Sequence, residues 1–258
     1  MKTVARAALM TACAMAASSA SAQVIITQWN FNNLPVAVNN SPAPNIGSGQ
    51  AIVLGMDNTY GTPNASQANA DVLIGDVGSS DPIQSATERR SWRVRGGPVP
   101  GGGNANGWSS QAPQYTQGAQ FNVSTVGFTG IRVSFDLQTT TQGPRNWQLQ
   151  YTVDGTGWIN AGAVGTSIGA DAWNNNNVFD FGSLGITAVE NNPLFGIRIV
   201  SAFDPTQGIY LNNQNPPAPL NNSSGNWRYD MITVTGIPTP GVAATLAMGG
   251  LLGLRRRR

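Results

Sequence analysis

Across residues 23–236 the chain never sustains apolar spacing at the helical period. It alternates apolar and polar residues by two, in runs broken by Gly, Asn and Pro. That alternation constrains the fold more than any other feature, because a pleated strand sends successive side chains to opposite faces. In IRVSFDLQ, Ile131, Val133, Phe135 and Leu137 share one face, and Arg132, Ser134, Asp136 and Gln138 share the other. WQLQYTVDG repeats the pattern through Trp147, Leu149, Tyr151 and Val153 and ends on the turn former Asp154-Gly155. The link TTTQGPRN between these runs predicts that the two strands pair as an antiparallel hairpin. Phe195, Ile197 and Ile199 alternate with Gly196, Arg198 and Val200 in a third strand. The run NWRYDMITVTG sets Trp227, Tyr229 and Met231 against Arg228, Asp230 and Ile232. VIITQWNF and AIVLGM supply earlier strands. Stretches 36–50, 96–107 and 212–225 are dense in Pro, Gly and Asn and read as surface loops. Short strands divided by turn chemistry, with no helices between them, predict an all-β, antiparallel β-sandwich in one domain over 23–236.

The charge of the chain misleads until it is mapped. The formal balance is +2 with a pI near 9.0. Yet Lys2, Arg6, Arg255, Arg256, Arg257 and Arg258 all lie at the ends, which leaves eight arginines against twelve acidic residues, a body of about −4 with no lysine. Binding to nucleic acid by counterion release has little to act through, so no nucleic-acid partner is expected. There is no histidine, and the single cysteine, Cys13, sits in the N-terminal apolar stretch. Ser-His-Asp and Cys-His catalysis are thereby excluded from the body, as are His-bearing zinc sites.

The N-terminus reads as a signal peptide over residues 1–22. Lys2 and Arg6 form a basic region, residues 7–17 an apolar one, and Ala20-Ser21-Ala22 the small-x-small pattern cut between Ala22 and Gln23. Export follows as the expectation.

Chemistry within the body is sparse. Asp136, Asp154, Asp171, Asp180, Glu190 and Asp230 are carboxylates that a hydrolase working by carboxylates alone would need in a facing pair. They form no recognisable motif, so no catalytic residue is assigned and the protein reads as a non-enzyme. Asp71, Asp76 and Asp81 in DVLIGDVGSSDP offer oxygen donors of the kind calcium takes. Their spacing matches no EF-hand loop, and turn formation by local hydrogen bonds is the competing reading. No cofactor is expected beyond that alternative of structural calcium. ERRSWRVRGG concentrates Arg89, Arg90, Arg93 and Arg95, with Arg93 and Arg95 on one strand face and Trp92 and Val94 on the other. A solvated face paired with nearby aspartates is the reading favoured over contact with an acidic polysaccharide or phosphate. Trp29, Trp147 and Trp227 fall in strands and read as core or sheet-edge packing. Trp108, Tyr115, Trp158 and Trp173 fall in loop-like contexts and are the candidate sugar-stacking residues.

The segment IPTPGVAATLAMGGLLGLRRRR, residues 237–258, closes the chain. Its apolar run would span only ~21 Å as a helix at ~1.5 Å per residue, short of a hydrocarbon core of ~30 Å. The order of proline motif, short apolar helix and arginine cluster resembles the PEP-CTERM sorting signal of Gram-negative bacteria. Pro238-Thr239-Pro240, followed by Gly241, stands in place of the Pro-Glu-Pro motif, with Thr239 where that family has Glu. The resemblance implies an exosortase-type sorting enzyme as partner and transient membrane anchorage through the C-terminal helix. Arg255, Arg256, Arg257 and Arg258 would hold the C-terminus on the cytoplasmic side. Destination in the cell envelope or outside the cell follows. Within the body, residues 106–136, 143–158, 191–203 and 225–236 resemble a β-sandwich module, jelly-roll-like, of exported bacterial proteins. That likeness carries no catalytic or binding residue. The expected function is a non-enzymatic cell-surface or matrix protein, with a carbohydrate-binding module for exopolysaccharide as the alternative.

Overall fold

A computed structural model describes residues 22–54, 70–75, 77–95, 108–221 and 225–241, together with the backbone of 58–59 and 62–63. Fourteen strands follow one another with no long helix between them among the described residues. They are β1 (Val24–Trp29), β2 (Gln50–Leu54), β3 (Asn58–Thr59), β4 (Thr62–Pro63), β5 (Ala70–Ile74), β6 (Arg90–Arg95) and β7 (Gly118–Asn122). The series continues with β8 (Phe128–Thr139), β9 (Asn146–Thr152), β10 (Ile159–Asn160), β11 (Gly165–Thr166), β12 (Trp173–Asp180), β13 (Gly196–Ser201) and β14 (Asn226–Pro238).

The strands form an antiparallel two-sheet sandwich, as the alternation by two requires. The first sheet runs β12-β8-β14-β6-β5, with β1 alongside the C-terminal half of β14; the second runs β10-β9-β13-β7-β2, with β11 also on β9. β3 and β4 make a separate two-stranded ribbon. From the first sheet Ile131, Val133, Phe135, Leu137, Trp92, Val94, Trp227 and Tyr229 point inward. From the second, Leu149, Ile197, Ile199, Ala119 and Phe121 meet them. Aromatic rings fill the centre in edge-on pairs: Phe121 lies 5.1 Å from Trp29 and 5.9 Å from Trp92, and Phe135 lies 5.3 Å from Trp147.

Two expectations fail here, each for a physical reason. β8 and β9 do not form a hairpin. β8 pairs with β12 and β14, whereas β9 pairs with β13, β10 and β11, in the other sheet. The link between them is an arch from one sheet to the other. Thr140 N–H donates to Asn226 O, Arg145 N–H to Leu211 O, and the Trp227 indole N–H to Pro144 O at 2.9 Å. Both strands keep the apolar faces read from sequence, but those faces look at each other across the core. The alternation in β14 also breaks. Its pairing with β8 shifts register between Asp230 and Thr233, and Met231 has φ +52°. The extra residue of this bulge inverts the facing of all that follows, so Ile232 and Val234 are buried and Met231 turns out. The bulge falls where the neighbour of β14 changes from β6 to β1.

Candidate functional site

The outer face of the second sheet is built from the residues that alternate with its core positions, and the register aligns them in rows. Gln50, Asn122, Gly196 and Thr152 lie side by side across β2, β7, β13 and β9. The next row is Ile52, Gln120, Arg198 and Gln150, extended by Asn160 on β10. The side chains are linked along and across these rows. Arg198 Nε donates to Gln120 Oε1 at 2.8 Å, Gln120 Nε2 to Asn122 Oδ1 at 2.8 Å, and Gln150 Nε2 to Asn160 Oδ1 at 2.9 Å.

Trp158 completes this face. The turn after β9 is closed by Asp154, whose Oδ1 accepts from the Thr156 and Gly157 N–H groups and from Thr152 Oγ1. Those hydrogen bonds, the two backbone ones first, hold the Asp154 carboxyl down at about 2. Gly155 at φ +77° lets the chain double back and carry Trp158 onto the sheet. A Cβ at position 196 would lie 3.3 Å from the edge of the Trp158 ring and 2.9 Å from Asn122 Oδ1, so glycine there makes room for both. The Arg198 guanidinium carbon lies 3.9 Å from the centre of the indole ring. Partial burial draws the Arg198 pKa below its ordinary value, and it remains a cation.

Beside the first row opens a cleft of about 310 Å³, lined by Gly49, Gln50, Asn122, Val123, Ser124, Gly155, Pro193, Leu194 and Phe195. Its floor is amide and its wall apolar, with Leu194 more than half exposed. Paired amide donors and acceptors, an indole and a guanidinium suit a polyhydroxylated ligand with both polar and C–H faces. Among the described residues no histidine, cysteine or carboxylate lines the cleft, and the Asp154 carboxylate beside it is engaged by its own turn.

The outer face of the first sheet is different, because the segment 77–89 lies over it. Arg89 and Asp230 are wholly buried beneath it and paired at 3.2 Å. Ser79 Oγ donates to Asp230 Oδ2 at 2.5 Å, and Ser80 donates to Asp136 Oδ2 through both its N–H and its hydroxyl. Asp81 accepts from Asn32 Nδ2 and from the Ile83 N–H, both at 2.7 Å. Burial, with the Asp81 charge adding to it, pushes Asp230 up to about 7, against the pull of Ser79, Arg89 and the Met231 N–H. Asp136 and Asp230 are cross-strand partners on one sheet face, not carboxylates opposed across an open cleft.

The residues singled out from sequence are dispersed. Of the aromatic candidates, Trp158 alone belongs to the amide face. Trp108 is fully buried against Trp227 with ring centres 4.5 Å apart, and Trp173 is buried on the first sheet with Arg89 5.5 Å from its ring centre. Loop context was a poor guide to their exposure, for a reason of magnitude. Burying an indole removes roughly 200 Å² of surface, worth about 5 kcal/mol at ~25 cal/mol/Å². That outweighs the ~1–3 kcal/mol cost of a buried N–H without a partner, which is the state of Nε1 in both residues. Tyr115 is half-buried at φ +68° before β7, at the opposite end of that strand from the cleft. Arg93 and Arg95 pair with Asp71 as expected, Arg93 through two nitrogens, whereas Arg89, just before β6, is enclosed with Asp230.

Asp71 is thus engaged by arginine and Asp81 by Asn32, while Asp76 lies outside the described residues. Among the described residues no group of three or more acidic, His or Cys side chains could hold a metal ion. Gln23 precedes β1, and β14 runs past Gly236 to Pro238. Thr239 N–H then donates to Gly127 O, and Pro240 and Gly241 are exposed. The expected signal peptide up to residue 21, the apolar run from 242 and Arg255, Arg256, Arg257 and Arg258 lie outside the described residues. Among the described residues no helix is long and apolar enough to cross a membrane. Missing from the sequence reading were Gln50, Gln120, Asn122 and Gln150, and any role for Arg198. Their signal was available: the polar partners in QFN, WQLQYT and FGIRIV are amides and a guanidinium, where an ordinary solvated face would mix Ser, Thr, Lys and Glu.

No protein-family model matches the chain, and no curated protein matches it. Solved structures do. The CBM22-1–GH10 modules of endo-1,4-beta-D-xylanase 10B from Clostridium thermocellum, complexed with xylohexaose, align over 82% of this chain at 10% identity with a TM-score of 0.40. This chain spans only 28% of that one. The K1 cleaved adhesin domain of Lys-gingipain from Porphyromonas gingivalis W83 aligns over 77% of this chain and 94% of its own, at 8% identity and TM-score 0.35. The K2 domain of Lys-gingipain aligns over 83% and 97%, at 10% identity and TM-score 0.31.

Proposed function

We propose that the protein is an exported, non-enzymatic surface or matrix protein whose sandwich binds polysaccharide on the outer face of its second sheet. The observation that carries the reading is the Trp158–Arg198 stack set among Gln50, Gln120, Asn122 and Gln150 beside an open cleft. Sugar hydroxyls take both donors and acceptors, which side-chain amides supply together. Sugar C–H faces take an apolar wall, which Trp158, Pro193 and Leu194 supply. Affinity electrophoresis of residues 23–241 through gels containing a panel of neutral and acidic polysaccharides tests it. Retardation by at least one glycan is expected, and uniform mobility in every gel would sink the reading.

Export and sorting belong to the same proposal and rest on the two ends of the sequence. The signal peptide would be removed between Ala22 and Gln23. The tail from Pro238, Thr239, Pro240 and Gly241 to the terminal arginines would be handled by an exosortase-type enzyme. The first two motif residues are held against the sandwich, Pro238 paired with Phe128 and Thr239 with Gly127, so the motif emerges directly from the body. Cell fractionation and intact-mass measurement test this part: a body starting at Gln23 in the envelope or medium is expected, and full-length protein confined to the cytoplasm would refute it.

A further inference from the structure

Most arginines of the body whose side-chain contacts are described have an acceptor that accounts for their charge or their geometry. Arg89 pairs with Asp230, and Arg93 and Arg95 with Asp71. Arg90 donates to Leu34 O and Glu88 O, and Arg228 to Gln138 Oε1 at 2.9 Å. Arg198 differs. It stands in the middle of a strand, half-buried, with one face on the Trp158 ring and Nε given to Gln120. Among the described residues no carboxylate lies within ion-pairing distance of it, and neither Nη meets an acceptor.

A guanidinium fixed at Nε and stacked on an indole has lost its rotamer freedom. What remains is the edge bearing the two Nη groups, pre-set in the fork that matches a carboxylate. Partial desolvation without a countercharge is unfavourable in the empty protein, and an anionic ligand would relieve it. Neutral sugar hydroxyls would leave that charge uncompensated. We propose that Arg198 makes this face selective for acidic glycans, taking the carboxylate of a uronic acid residue through its two Nη groups while Asn122, Gln50 and the cleft hold the adjoining sugars. The inference rests on the saccharide reading of the same face and adds the class of glycan.

The test compares three polymers on the intact body: polygalacturonate, the same polymer fully methyl-esterified, and dextran sulfate. Polygalacturonate is expected to bind at least tenfold more tightly than its ester, by affinity electrophoresis and titration calorimetry at fixed ionic strength. Arg198→Gln should abolish that preference, and Arg198→Lys, which keeps the charge but loses the fork, should restore only part of it. Equal affinity for acid and ester would overturn the acidic selectivity while leaving saccharide binding intact. Equal affinity for dextran sulfate would overturn the carboxylate fork in favour of bulk charge. Binding to no glycan at all would remove this inference together with the reading beneath it. The comparison of acid with ester uses the unaltered protein, so it does not depend on how either variant folds.

Discussion

Arg89 and Asp230 form the most deeply buried ion pair among the described residues. Both are wholly buried on a sheet face that alternation alone assigns to solvent, and each has the other as its ionic partner. Removing one partner of such a pair strands the other charge, at a cost of about 3–5 kcal/mol. Arg89→Ala is therefore expected to lower unfolding free energy by that amount in urea titrations run above the Asp230 value of about 7, where the carboxylate left behind is ionised; a loss under ~1 kcal/mol there would mean water already reaches the pair. Asp230 also gives a pH dependence whose sign is fixed by its environment. Its carboxyl is raised from 3.8 to about 7, with burial the main cause. Between those values the folded protein keeps a proton that the unfolded chain has released. Its contribution to stability is thus complete at low pH and is lost as pH rises from about 4 to about 7. One such proton tilts stability by up to ~1.4 kcal/mol per pH unit. Asp230→Asn should flatten that slope in urea titrations run at stepped pH, and an unchanged slope would assign the titration to another group.

At the scale of elements, close approach of strands sets the requirements. β7 begins at Gly118, where φ is +146° and an added Cβ would lie 2.2 Å from Ile199 O on β13. That oxygen belongs to the backbone ladder and cannot swing aside. Gly118→Ala is expected to destabilise by about 2–3 kcal/mol, whereas Gly155→Ala, with no atom near its Cβ, should cost about 1 kcal/mol for its positive φ. Parallel urea titrations decide, and equal losses would show that crowding at Ile199 relaxes. The same elements show what sequence can reveal. The period-two pattern located the cores of β8, β9 and β13 because burial acts residue by residue. It could not place β8 and β9 in different sheets, since an arch and a hairpin need the same short polar link; the difference lies in distant partners such as Asn226 and Leu211. Nor could it place the bulge at Asp230, which depends on β14 changing neighbours along its length. The amide face was legible only in part: Arg198 was seen as an outward residue, but its meeting with Trp158 requires the Asp154 turn to fold back over Gly196.

For the molecule as a whole, the two outer faces have opposite fates. The first is sealed at its centre by the segment 77–89, with Arg89 and Asp230 enclosed beneath it; the second keeps its amides, Arg198 and Trp158 beside an open cleft. Stability and binding should therefore separate when each face is altered alone. Trp158→Ala removes a partly exposed ring while leaving the core rings in place. It is expected to weaken glycan retention about tenfold, ~1.4 kcal/mol, the scale of a stacked cation and a lost apolar surface. Its thermal midpoint should stay within a few degrees of the parent. Arg89→Met should behave conversely, with a lower thermal midpoint and, at a temperature where it is fully folded, unaltered retention. Affinity electrophoresis and thermal melts on both variants complete the comparison. If Trp158→Ala binds as the parent does, the second face is not the binding surface. If Arg89→Met loses binding while folded, the sealed face reaches the site through the shared core, and the two faces act as one body.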